Sequence, residues 1–225
     1  MRDVLNVASA VVLRDLRRYV RRRQDAVQPL IFFVIIVTLF AVAVGPDAEI
    51  FAKIAPAGIW VAILLATTIN LDTIFLSDYH DGTIEQLFLS PAPLPLIVGS
   101  KIFSHWCATA GPQIAISVIV AAAIGLELRV VGTLAATLLL GSPILSLFGS
   151  VSSALTIGLR GGAMLQALII LPLYMPTLIF STSAMHNAAL DLPITAEIYF
   201  LAGLAVMAAS LAPFASATAL RIRLG

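Results

Sequence analysis

An all-α, polytopic membrane protein with six transmembrane helices is the fold class the sequence predicts, and three observations carry that prediction. Of the 225 residues, 60% are hydrophobic and 11% charged, with a mean hydropathy of +1.03, whereas soluble domains carry roughly 25% charged residues. Six apolar stretches approach the about 20 residues that a helix needs to cross roughly 30 Å of hydrocarbon. The basic residues gather at alternate ends of those stretches, as cytoplasmic positive charge requires.

Residues 1–25 come before any span. At 100° per residue Leu5, Ala8, Val12, Leu16 and Tyr19 share one face, while Arg14, Arg17 and Arg21 lie roughly opposite. That pattern describes an amphipathic helix lying in the interface, its arginines near anionic headgroups. The run RYVRRR has the composition of a nucleic-acid patch, but ahead of a membrane span it reads as an electrostatic anchor that sets topology, with docking of a partner as the alternative, and no nucleic-acid partner is expected. The basic stretch reaches Arg23 and no small-residue cleavage motif follows the apolar segment, so the first span is expected to stay in the mature protein.

The spans are expected at about residues 27–44, 56–76, 96–124, 131–157, 163–184 and 197–220. Pro29 is expected in the first turn of its helix, where its missing N–H costs nothing. Prolines 112, 143, 172, 176 and 213 fall inside spans and predict kinks. With the N-terminus cytoplasmic, that side receives Arg2, Arg14, Arg17, Arg18, Arg21, Arg22, Arg23, Lys101, Arg160, Arg221 and Arg223, and the far side only Lys53 and Arg129. Both termini and the 77–95 loop then face the cytoplasm. No repeat or low-complexity tract divides the chain, so residues 1–225 read as one domain.

Several chemistries are excluded. The two lysines, Lys53 and Lys101, stand in no GxxxxGK[ST] loop, and GxSxG and HExxH are absent, so nothing here splits ATP or hydrolyses by those routes. Asp81-Gly82 begins a DG dipeptide but lacks the aspartate series of phosphatidyl-transferring membrane enzymes. A lone cysteine, Cys107, cannot form an intrachain disulfide. His80, His105 and His186 lie in separate segments, with no evident metal pair. No catalytic residue and no metal site is therefore expected. Asp72 and Lys101 flank the cytoplasmic loop at similar depth and suggest an ion pair closing its neck, or two side chains reaching separately for the headgroups. Gln113 and Gln166 read as hydrogen-bonding glue between helices.

The loop itself, SDYHDGTIEQLFLSPAPLPL, concentrates acids and prolines in an otherwise apolar chain. Thr83 and Gln86 have capping-box spacing, and Glu85 falls where a helix dipole favours an acid. A helix from Ile84 to about Leu89, about 10 Å long at 1.5 Å per residue, would stop ahead of Pro91. Pro91, Pro93 and Pro95 form a stiff lead into the next span. Ile84, Leu87 and Phe88 make an apolar face, and an idle solvated loop would not display Leu87, Phe88 and Leu89 without a partner or a membrane surface. The element reads as a docking helix for a separate ATPase.

The run DYHDGTIEQLFLSPAPLPLIVGSKIFSHW resembles the signature region of the CcmB family, heme exporter protein B, the membrane subunit of the cytochrome c maturation ABC complex. The match falls on Asp78, Tyr79, Asp81, Gly82, Glu85, Gln86, Leu87, Ser90, Pro91, Pro93, Leu94, Lys101, His105 and Trp106, fourteen positions in 29 residues. The arginine-rich N-terminus and the span count extend the resemblance over the whole chain. His80 departs from the acid or small polar residue expected there.

The resemblance implies an ABC-2-type permease-like fold in the bacterial inner membrane, acting without catalysis of its own in heme export for c-type cytochrome biogenesis. The implied partners are a CcmA-like ATPase, CcmC-like and CcmD-like membrane subunits, a CcmE-like heme chaperone, a second copy of the chain, and membrane lipid. ATP would sit on the ATPase and heme in the complex, with no cofactor on this chain. Asp78, Tyr79, Asp81, Gly82, Glu85, Gln86, Leu87 and Pro91 are the implied ATPase-coupling residues; no residue identifies a heme path. A scaffold without ATP-coupled motion, or an ABC-2 exporter of another substrate, would be the alternatives.

Overall fold

A computed structural model describes residues 2–21, 23–45, 48–90 and 92–224. Among these residues the chain forms nine α-helices and one 3-10 turn, and no strand: α1 (Arg2–Arg21), α2 (Arg23–Val44), α3 (Ala48–Ile69), the 3-10 turn (Leu71–Ile74), α4 (Leu76–His80), α5 (Thr83–Phe88), α6 (Leu94–Ala123), α7 (Leu128–Thr156), α8 (Gly162–Ala189) and α9 (Thr195–Leu224). A bilayer leaves no water to satisfy backbone groups, so helices that bond internally are the way such a sequence can cross it.

Five helices are long and apolar enough to span: α2 from Val27, and α6, α7, α8 and α9. The difference from six lies in α3. Its apolar part, Lys53–Ile69, is about 25 Å of helix at 1.5 Å per residue, against roughly 30 Å of hydrocarbon. The expected span over 56–76 ends early because the backbone tightens after Ile69: the Thr73 N–H and hydroxyl both donate to the Asn70 carbonyl, the hydroxyl at 2.7 Å. Pro29 also differs from expectation. Because α2 begins at Arg23, the proline is interior rather than in the first turn.

The helix α7 is the axis of the molecule, packed by α6, α8 and α9 and touched by α3. Its sequence explains this position, since small residues let neighbouring backbones approach closely where no hydrophobic effect drives helices together in lipid. The Trp60 ring lies over Gly141, and Leu71 and Tyr174 lie over Gly149. Hydroxyls supply the polar contacts: Trp60 Nε1 donates to Thr137 Oγ1 at 3.3 Å, Trp106 Nε1 to Ser142 Oγ at 2.9 Å, and Tyr174 to the Leu145 carbonyl at 2.7 Å. The expected glue residue Gln113 is instead buried with both amide atoms unpartnered. Outward, Ile35, Leu39, Leu171, Val206 and Phe214 remain exposed, an apolar surface that water would not tolerate and lipid would.

A methyl added at Gly149 would run into Leu71 Cδ2 and lie 2.8 Å from the Tyr174 hydroxyl, and both residues are fully buried. Gly149→Ala is expected to cost about 1–3 kcal/mol through overpacking. At roughly 2–4 °C per kcal/mol, thermal unfolding in detergent should show the loss, whereas Gly132→Ala, facing open space, should not.

Candidate functional site: a buried ion cluster and its helical turn

The segment after α3 turns twice within twenty residues. Gly82 provides one turn by adopting φ +66°, a left-handed conformation that costs an L-residue roughly 1–2 kcal/mol. This geometry replaces the expected capping box. Gly82 is the N-cap of α5, Thr83 is its first residue, and no side-chain cap bond forms. The helix ends at Phe88, one residue before the expected Leu89. Pro91 lies outside the described residues, and Pro93 serves as the N-cap of α6.

Most of the apolar face expected to await a partner is used internally. Ile84 is buried in the main core with Phe88 packed beside it, and Leu87 packs on Val11, Ala92 and Ile97. Leu89 alone of that set stands out, 86% exposed. His80, Asp81, Glu85 and Gln86 are exposed on the outer side.

Asp78 turns the other way. It is 4% exposed, as is Lys101 at the base of α6 and as is Asp15 on α1. Lys101 Nζ donates to Asp15 Oδ2 at 2.9 Å and also to Asp78 Oδ2. Arg14 reaches Asp15 at 2.9 Å and Asp78 at 3.3 Å, and Arg18 reaches Asp78 at 3.4 Å. Two carboxylates and one ammonium are thus buried together, with two partly exposed guanidinium groups closing the rim. Buried charges are tolerated when each is paired and hydrogen-bonded. The cluster ties together α1, α4 and α6, which are far apart in sequence.

Two expectations are corrected here. Lys101 pairs with Asp15 and Asp78 rather than with Asp72, because α4 carries Asp78 inward while the 3-10 turn carries Asp72 toward Gln166. Burial raises the Asp72 carboxyl above its ordinary range, against the opposing effect of the Gln166 amide. Asp78, expected to meet an ATPase, is instead buried in this cluster. Asp15 was missed altogether. Its signal was present in the helical spacing, since an acid at 15 falls on the stripe 8, 12, 15, 19 that otherwise carries apolar groups.

Tyr79 and His105 extend the anchoring. The turn between α7 and α8 brings Gly158, at φ +73°, so close to Tyr79 that an added Cβ would lie 2.8 Å from its hydroxyl. His105 is buried, its Nε2 3.2 Å from the Asn70 carbonyl, and it meets the Tyr19 ring edge-on. Tyr19 in turn lies 3.5 Å from the Thr73 hydroxyl. Among the described residues no group of three His, Cys, Asp or Glu side chains is placed to hold a metal.

Long apolar helices around a small-residue axis, with a loop helix pinned at one end by buried charge, define a multi-pass helical membrane protein with an anchored surface element. The family model for "CcmB protein" matches residues 6–223. A heme exporter protein B of Pseudomonas aeruginosa is 41% identical over 220 residues, 98% of this chain and 99% of the relative. Those of Haemophilus influenzae and Escherichia coli K12 are 40% and 41% identical, over 95% and 92% of this chain and 97% and 94% of theirs. The chain belongs to the CcmB family.

Lys101→Met leaves two buried carboxylates facing each other and is expected to destabilise by about 3–5 kcal/mol, seen as loss of the folded peak in size-exclusion chromatography. Adding Asp15→Asn and Asp78→Asn should restore much of it, a coupling that a mutant cycle measures. For Asp72 the folded carboxyl holds its proton more tightly than the unfolded one, so its contribution favours the fold as pH falls and opposes it as pH rises. Asp72→Asn should therefore raise the melting temperature at neutral pH, and the gain should shrink on acidification.

Proposed function

We propose that the chain is the membrane subunit of a heme-export system for c-type cytochrome biogenesis. In this reading it has no catalysis of its own and couples ATP hydrolysis on a separate CcmA-like ATPase to release of a heme-loaded CcmE-like chaperone. CcmC-like and CcmD-like subunits and a second copy of the chain complete the assembly. The protein sits in the bacterial inner membrane with both termini cytoplasmic, as the eleven-to-two distribution of basic residues supports. On this topology α3 is a sixth, short crossing, since the turn at its end and α6 must start from the same side.

The observation that carries the reading is the division of the 78–89 segment into an anchored and a presented face. Asp78, Tyr79, Ile84 and Leu87 hold it to the body, while Asp81, Glu85, Gln86 and Leu89 are offered outward. An element that must transmit a push has to be rigid behind and exposed in front. Gly82 permits the turn between α4 and α5. The coupling contact is then assigned to Asp81, Glu85 and Gln86: the two carboxylates would meet basic groups on the ATPase and the Gln86 amide would add a neutral hydrogen-bonding group beside them.

Replacing Asp81 and Glu85 with lysine, both exposed, should leave the subunit folded but abolish co-purification of the ATPase and lower cytochrome c levels. Normal co-purification together with normal cytochrome c would overturn the reading. An ATPase-inactive complex that still matures cytochromes would favour the scaffold alternative instead.

A further inference from the structure

A cleft of about 620 Å³ runs between α1 and the α4 segment. Arg14, Arg17, Arg18 and Arg21 line it from α1, and Ser77 and Asp81 from the other side. Positions 14, 17, 18 and 21 are three and four residues apart, so the four guanidinium groups are neighbours on one helix face, where like charges repel. The cleft has a fixed shape, because the pairing of Arg14, Arg18 and Lys101 with Asp78 holds α1 against α4.

The chain neutralises only part of this charge. Arg14 donates through Nε and Nη2 to Asp15 and Asp78, and Arg18 through Nη1 to Asp78. Arg17 and Arg21 are exposed, and among the described residues their side chains make no hydrogen bond or ion pair. Lys101, Arg14 and Arg18 already outnumber Asp15 and Asp78 by one charge. Arg17 and Arg21 raise the excess to three, and Asp81 returns it to two. Each guanidinium carries five N–H donors in a fork that matches phosphate oxygens, and most of those donors around the cleft are unspent.

Apolar groups stand among these charges. Leu13 lines the cleft and is 49% exposed, and Val20 beside Arg21 is 72% exposed. The first span begins at Val27, a few residues beyond Arg21. Free arginines flanked by exposed aliphatic side chains next to the start of a span lie at headgroup depth. We propose that the cleft is a binding site for one anionic phospholipid, its phosphodiester held by Arg17 and Arg21 with the spare donors of Arg14 and Arg18. Ser77 donates to the same phosphate. The Asp81 carboxylate disfavours a bare, doubly charged phosphate but accepts a hydrogen bond from a headgroup hydroxyl, which selects a phosphatidylglycerol-like headgroup. Because Arg14 and Arg18 belong both to the cleft and to the ion cluster, bound lipid braces the buried Asp78 from outside. The site is independent of what the complex transports.

The test is titration of the full-length protein in mild detergent with dioctanoyl phosphatidylglycerol, followed by native mass spectrometry and by thermal unfolding. One retained lipid per chain and a saturable rise in melting temperature are expected, with no such rise from dioctanoyl phosphatidylcholine. Arg17→Gln/Arg21→Gln should keep the wild-type melting temperature without lipid, since both side chains are exposed and unpaired among the described residues, and should weaken lipid binding by about tenfold or more. Arg160→Gln/Arg221→Gln removes the same charge from other exposed positions and should bind as wild type does. An equal loss in both double variants would mean diffuse attraction and overturn the site. So would an equal response of the wild type to the two lipids, which needs no variant. Sodium phosphate that stabilises as strongly as the lipid would overturn the lipid assignment in favour of a soluble phosphate. Lipid binding that survives in Arg17→Gln/Arg21→Gln while ATPase co-purification is lost would assign the cleft to the ATPase instead.

Discussion

Lys101 sits where three parts of the chain would otherwise separate. The helix α1 is amphipathic and could float on a headgroup layer; α4 and α5 are too short to be stable alone; α6 starts just after a run of prolines. Burying one ammonium between the carboxylates of Asp15 and Asp78 makes the placement of each element depend on the other two. Such a cluster adds little net stability compared with well-packed apolar groups, yet losing one member is costly. Its consequence is therefore geometric: the 78–89 segment has one permitted position against the body, and its outer face has one permitted direction.

The rest of the body is built differently. Around α7 the helices approach through glycines, serines and threonines, and the large side chains that fill the gaps, Trp60, Leu71 and Tyr174, come from neighbours. Hydroxyl groups in these helices mostly return to their own backbone, as Ser104, Thr109 and Ser117 do at 2.7–2.8 Å. Close contact and lipid exclusion hold such a bundle. The two ends then differ in character: one is closed by buried ions, and at the other Glu197 and Arg129 pin the α8–α9 connection through hydrogen bonds to Asn187 and the Leu192 carbonyl.

The long apolar helices could be read directly, because a bilayer demands continuous apolar runs and leaves few other solutions. The turn at Gly82 and the short helix after it were also legible, since glycine and proline act locally. The cap of α5 was not, because Thr83 and Gln86 satisfy a spacing rule that the left-handed Gly82 made unnecessary. The role of Asp78 was misread for a related reason. In sequence it belongs to a run of acids with Asp81 and Glu85, and only the direction of α4 separates the one that enters the cluster from the two that face outward. The early end of α3 depended likewise on backbone bonds to Asn70 that composition does not report.

By itself the sequence determined that this is a helical membrane protein, the side on which its positive charge gathers, the position of its loop helix, and a signature that the family match bears out. Periodicity, hydropathy and local turn chemistry carry those features, and all of them act over a few residues. Tertiary structure alone decided that Lys101 chooses Asp15 and Asp78 over Asp72, that the apolar face of α5 is largely consumed by the core, and that Arg17 and Arg21 share a cleft with Ser77. Each of those joins residues tens of positions apart or more, and such pairings are set by how helices pack, which no local pattern encodes.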